Sequence, residues 1–300
     1  MQESGLLGKF FCQLIAGRPM KFALFGASKT GTSIAYHLCK NGHQPIFIWN
    51  RSEENLAKAL EYVPFESSSK NLKDFNEECD FVILSISDDA IEDIAERFLS
   101  INKNKDLKIL HTSGALDSSV FGDYENSGSF HPVISISSIE EGIEMIPQTT
   151  FTCEGNISTF LVQIANEIGE TGITLTKEQK QNIHLSAVFM NNYMIGLIEK
   201  IKILNRDAGL EDHSTEKILQ AITRQTISKS WKNTIEETLT GPVKRGDEKT
   251  IKKHLDILKN DDLFQQLYKI FGNILINFVN QDIEKVEALK ELFKIDVSER

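Results

Sequence analysis

Three groups of residues along this chain have the types and spacing to do chemistry. The first is the loop Gly26-Ala27-Ser28-Lys29-Thr30-Gly31, set between an apolar run and an amphipathic one. It stands at the G-x-G-x-x-G position of a dinucleotide-binding fold, where backbone N–H groups and a helix N-terminus hold a pyrophosphate. The middle glycine of that pattern is replaced by Ser28, whose hydroxyl can still donate to a phosphate. The second group is Asn50-Arg51-Ser52, at the end of the next apolar run. NAD-binding proteins usually place an acid there for the ribose 2′-hydroxyl. A guanidinium beside a hydroxyl suits a 2′-phosphate instead, so NADP(H) is expected ahead of NAD(H). The alternative is that Arg51 is an ordinary solvated arginine. The third group is a polar stripe. At about 100° per residue, Lys180, His184 and Asn191 fall within about 40° of one another on a helix, with the small Ala187 in the same stripe. Such a stripe could line a cleft where the helix meets the sheet domain and offer an ammonium as proton donor. The alternative is a solvent-exposed lysine beside a packed histidine.

Positioning these groups takes a particular order of elements. From Met20 to Cys153 short apolar runs alternate with amphipathic segments: strands over 21–26, 45–50, 80–85 and 108–112, helices over 30–41, 52–62 and 88–99. That alternation predicts βαβ units in a doubly wound, Rossmann-like α/β sheet. Two further runs, 128–136 and 149–153, extend the sheet. Open sheets of this kind bind ligands at the C-terminal ends of their strands. Ser85 and the Thr112-Ser113-Gly114 run therefore join the candidate cofactor and substrate contacts. After Gly172 the character changes. Ile183, Ala187, Met190, Met194, Leu197, Ile201 and Leu204 form one apolar stripe, which predicts a helix of about eight turns from Lys177 to Asp207. Helices over 214–228, 249–259, 261–279 and 281–293 follow. The expected domains are an N-terminal extension 1–19, a nucleotide-binding domain 20–176 and an all-α domain 177–300.

Composition narrows the function classes. The chain has 300 residues and a formal charge of −10, with Lys+Arg against Asp+Glu at 13 to 21 before residue 150 and 20 to 22 after it. Neither half is basic, so no nucleic-acid or anionic-membrane surface is expected. Four cysteines stand far apart with no CxxC, which argues against a disulfide framework or zinc site and for a reducing, cytoplasmic setting. No apolar run approaches the ~20 residues of a membrane span. The first nineteen residues lack a signal-peptide cleavage site and carry an acid and an internal lysine. Met20 as the true start and an amphipathic extension packing on the domain both remain open.

The blocks GASKTGTSIA, NRS, HTSGALDSS, SFHPVIS, KQNIHLSAVFMNNY and LTGPVKRGDEKTIKKHL follow one another in a familiar order. Together they resemble the NADP oxidoreductases that join a Rossmann-like domain to a helical domain of unknown function. These are similar in architecture to ketopantoate reductase, prephenate dehydrogenase, pyrroline-5-carboxylate reductase and 6-phosphogluconate dehydrogenase. The resemblance covers about 20–295 and departs from the pattern at Ser28. It implies a 6-phosphogluconate dehydrogenase-like helical domain, and Lys180 with His184 as a variant of a Lys-x-x-x-Asn pair. It favours Asn192 where helix geometry favours Asn191. It implies a catalytic role for His131, since prephenate dehydrogenase has a catalytic histidine in a similar His-Pro context; a hydrogen-bonded turn histidine is the alternative. Arg245 is the best carboxylate clamp of the helical domain; it could instead cap the next helix and pair with Asp247. The expected function is NADPH-dependent reduction of a small 2-oxo acid resembling ketopantoate. The alternatives are a prephenate-like dehydrogenase, an imine reductase, or a nucleotide-sensing protein without turnover. The long apolar helices imply a homodimer through the helical domain.

Overall fold

The computed structural model describes residues 18–75, 78–279 and 282–295. The expected extension 1–19 therefore lies almost wholly outside the described residues. The chain divides into two compact units at Asn192/Tyr193 rather than at the change of composition at Lys177.

The first unit is built on an eight-stranded sheet of order β3-β2-β1-β4-β5-β6-β7-β8. Its strands are β1 (Lys21–Phe25), β2 (Gln44–Trp49), β3 (Ser67–Ser69), β4 (Phe81–Leu84), β5 (Lys108–His111), β6 (Ser127–Pro132), β7 (Thr150–Gly155) and β8 (Thr171–Thr174). Every neighbouring pair is parallel except β6 and β7. The polar Ser67–Ser69 strand was not expected. It carries no apolar alternation and is held as an edge by pairing with Phe47–Trp49.

Helices α1 (Lys29–Lys40), α2 (Glu53–Leu60), α3 (Asp88–Ile101), α4 (Ile139–Met145) and α5 (Ser158–Ile168) surround the sheet. Strands buried on both faces read as continuous apolar runs, as FVIL of β4 does. One face packs Phe22, Leu24, Ile83, Leu110, Phe130 and Phe151 against Ile34 and Leu38 of α1 and Leu161 and Ile164 of α5. The other face packs Phe25, Val82, Leu84 and Ile109 against Ile91, Ile94 and Phe98 of α3. Beyond β5 that second face turns polar, and helix α6 (Lys177–Val188) packs over β7 there.

The predicted helix from Lys177 to Asp207 is in fact two. α6 ends at Val188, Phe189–Tyr193 is a π-helical turn, and α7 runs from Met194 to Asp207. A π turn is wider than 3.6 residues, so the phase assumed for a continuous stripe slips after Val188. Ile183 and Met190 of the expected stripe are exposed. The second unit continues with α8 (Asp212–Ser230), α9 (Ile235–Thr238), α10 (Pro242–Arg245), α11 (Glu248–Ile257), α12 (Asp262–Ile276) and α13 (Ile283–Leu292). Its own core gathers Val243, Ile251, Ile276, Leu289 and Phe293.

Candidate functional site

The nucleotide loop is shaped by close backbone approach. Gly26 has φ +103°, and a Cβ there would lie 2.2 Å from the Ser85 carbonyl oxygen; a Cβ on Gly31 would lie 2.6 Å from Ser85 Cβ. Both glycines are therefore required by Ser85, which closes the loop from β4. Ser28 is the N-cap of α1, and its Oγ accepts from the Gly31 N–H at 3.0 Å. The same Oγ shares a 2.6 Å hydrogen bond with Ser85 Oγ, which shares another of 2.8 Å with Thr112 Oγ1. The substituted side chain is thus turned into the loop and joined to a row of three hydroxyls along the strand ends. The Lys29 and Thr30 N–H groups, in the first turn of α1, have no intrahelical acceptor, as the anion-binding pattern requires. Ala27 N–H donates to Asn50 Oδ1 at 3.4 Å, and Asn50 Nδ2 donates to the Ser52 carbonyl at 3.1 Å. Ser52 caps α2, and Arg51 between them is exposed. The residues present thus fit a dinucleotide with a 2′-phosphate.

The second part of the site grows from strand alternation. His111 pairs with Ser129, and Ser129 with Glu154, so these three form a row across β5, β6 and β7 on one face. His131 and Thr152 form the next row. Above them, α6 starts in a capping box in which Thr176 Oγ1 accepts from Gln179 N–H and Gln179 Oε1 accepts from Thr176 N–H. One turn along, Lys180 enters the layer. It is 2% exposed, and its Nζ donates to the Ser113 carbonyl oxygen at 2.8 Å. The solvent-exposed lysine weighed from the helix geometry is corrected: the polar sheet face buries it. Burial lowers its pKa to about 8, against the pull of Glu154, Asp88 and Asp117.

The peptide linking Ser113 to Gly114 carries Lys180 on its oxygen and two imidazoles on its α-carbon. A Cβ on Gly114 would lie 2.8 Å from His184 Nδ1 and 2.9 Å from His131 Nε2. His131 is pushed down to about 3, by burial first and then by Lys180 and His184. It is neutral near pH 7 and can donate a hydrogen bond, but it is not an acid there.

Lys180, His184, His131, Ser113 and Gly114 therefore come together within the first unit. Asn191 and Asn192 do not join them; both are exposed in the π turn. The expectation that Asn191 shares a stripe with Lys180 and His184 is corrected by that change of helix period. Arg245 ends α10 in the second unit, exposed, with its charge near Asp247, which caps α11 through Thr250.

Two members of the layer escaped the sequence reading. His111 donates from Nε2 to the Asp117 carbonyl at 3.2 Å and accepts at Nδ1 from Ser113 N–H at 3.2 Å, closing the loop that carries Ser113. Glu154 accepts from Ser118 N–H at 2.8 Å and from Ser118 Oγ at 2.9 Å. The signal available was polar residues at alternate positions inside strands, at 111, 129, 131, 152 and 154. Among the described residues no metal-binding cluster of His, Cys, Asp or Glu occurs, and no helix is long and apolar enough to cross a membrane.

Residues 21–110 match the family described as NADP oxidoreductase, coenzyme F420-dependent, and residues 149–274 match a domain of unknown function, DUF2520. No curated protein matches the chain. Among solved structures, a protein of Bacteroides fragilis described as a candidate NADP oxidoreductase is 23% identical, with 86% of this chain and 98% of that chain covered and a TM-score of 0.68. A Thermotoga maritima protein is 24% identical over 91% of this chain and 98% of its own, with a TM-score of 0.62. An imine reductase of Myxococcus stipitatus, solved with NAD+, is 11% identical over 90% and 99%, with a TM-score of 0.59. These likenesses establish the fold, a Rossmann-like sheet followed by helices.

Proposed function

We infer that this chain, which carries an NADP-oxidoreductase segment ahead of a DUF2520 domain, is an NADPH-dependent reductase of a small 2-oxo acid such as ketopantoate. The observation that carries this reading is the cationic, imidazole-rich layer at Gly114: Lys180 bonded to Ser113, with His131 and His184 turned to the same α-carbon.

NADPH, when held by the 26–31 loop and Arg51, would supply a hydride for the carbonyl carbon. The chain must then deliver a proton to the oxygen and hold the substrate's carboxylate. Lys180, with its pKa lowered to about 8, stays protonated near neutrality yet gives up its proton more readily than a free lysine. One of its three N–H bonds is taken by Ser113, and two remain for the substrate. The neutral imidazole of His131, with His184 beside it, orients the carbonyl or carboxylate. Arg51, beside the Ser52 hydroxyl, fits the 2′-phosphate and favours NADPH over NADH.

A second reading, reduction of an imine, is supported by the fold shared with the Myxococcus stipitatus enzyme. The Lys180 ammonium disfavours it, since an iminium is itself cationic. Homodimers through the second unit complete the proposal.

The test is a thermal-shift titration with NADPH and NADH, followed by NADPH oxidation with 2-oxo acids and with cyclic imines. Stabilisation by NADPH and turnover of a 2-oxo acid are expected. Turnover of imines alone favours the second reading, and no response to either nucleotide ends both.

A further inference from the structure

Among the described residues, only two Lys, Arg, Asp or Glu side chains are fully buried: Lys180 at 2% exposure and Glu154 at 3%. They come from facing elements, Lys180 from α6 and Glu154 from β7, over which α6 packs. They do not share a hydrogen bond. The Glu154 carboxylate takes both Ser118 donors, while Lys180 Nζ is held by the Ser113 carbonyl. Ser113 and Ser118 bracket one loop, so the two buried charges grip its opposite ends.

An isolated charge buried in a protein is costly and normally neutralises or finds a counter-charge. Other charged or titratable groups around Lys180 are Asp88 at the start of α3, Asp117 in the loop, Cys153 on β7, and His111, His131 and His184. Asp88 is exposed, and Asp117 is already paired with Lys177 at 3.4 Å. Cys153 is an uncharged thiol, pushed up to about 12 by burial. That leaves Glu154, whose field is least screened by water.

We propose that Glu154 is a positioning residue: the buried counter-charge that keeps Lys180 a cation and, through Ser118, fixes the loop that presents the Ser113 carbonyl to it. The counter-charge role stands on this geometry. Its catalytic use rests on reading Lys180 as the proton donor.

The experiment is a pH titration of the lysine 15Nζ signals in lysine-labelled full-length protein, with the Lys180 signal assigned from Lys180→Met. The wild-type signal is expected to titrate near 8. Glu154→Gln keeps the shape and removes the charge, and should weaken proton binding at Lys180 at least tenfold. Asp88→Asn and Asp117→Asn should each shift it less. An unmoved Lys180 titration in folded Glu154→Gln protein overturns the proposal. Should Glu154→Gln not fold, the double variant Glu154→Gln/Lys180→Met decides: recovery of folded protein supports a charge pair, and continued failure overturns it. Neither readout uses substrate or turnover. Failure of the reductase reading would instead appear as absent nucleotide binding with this titration intact.

Discussion

At the scale of single residues, the site depends on what burial does to each proton. Lys180→Met should lower the rate of NADPH oxidation by roughly 10²–10⁴-fold and leave the Kd for NADPH unchanged, because the nucleotide contacts proposed above lie on the 26–31 loop and Arg51 and not on Lys180. Single-turnover kinetics beside a fluorescence titration would check both halves. Arg51→Asp should erase the preference for NADPH over NADH, a loss of about 1.5–3 kcal/mol measured by the two Kd values. The buried histidines give a stability prediction with a definite sign. Burial holds His111 at about 4 and His131 at about 3, below the ordinary 6.5. Between those values and 6.5 the unfolded chain binds more protons than the folded one, so stability falls as pH drops through that window. The two together should remove about 4 kcal/mol between pH 7 and pH 5. Urea unfolding at the two pH values measures the slope, and His131→Gln should flatten it by about half.

At the scale of elements, the nucleotide loop is a strand-to-helix turn wrapped around one side chain of another strand. Ser85 sets the limits on Gly26 and Gly31, and its hydroxyl joins Ser28 to Thr112. Gly31→Ala should cost about 1–3 kcal/mol, because the new methyl has no room beside Ser85 Cβ. It should weaken NADPH binding as the loop shifts. Ser28→Ala removes an N-cap and should cost about 1 kcal/mol in chemical denaturation. Helix α4 shows the same dependence on close approach, since Ser33 Oγ of α1 donates to the Ile139 carbonyl and His37 bonds the Ile143 carbonyl. Those contacts cover the α1 face that the apolar sheet does not reach.

At the scale of the whole molecule, the second unit leaves large apolar side chains in solvent. Ile195 is 61% exposed on α7, Ile218 and Ile222 are 64% and 59% exposed on α8, and Trp231 is 76% exposed just beyond it. Exposed apolar surface of this kind marks an interaction site. Multi-angle light scattering should therefore give the mass of a dimer, with Ile195→Glu/Ile222→Glu shifting it to 33.9 kDa.

The sequence by itself determined what depends on local period and local chemistry. Continuous apolar runs marked strands buried on both faces, and Gly26, Ser28 and Gly31 marked the turn between β1 and α1. Arg51 in place of an acid could be placed from the chain alone, because it stands just past the apolar run of β2. Lys180 and His131 were legible as residue types, yet their environments were not. Sequence periodicity continued α6 through Phe189–Tyr193, where a π turn changes the phase, and it carried Asn191 wrongly into the stripe. Only tertiary structure brought His111, Ser129 and Glu154 into one row, since register between β5, β6 and β7 is set by neighbours and not by any strand's own residues. The same packing shut Lys180 from water beneath α6. Desolvation is a property of everything that surrounds a group, so it cannot be read from the residues beside it in the chain.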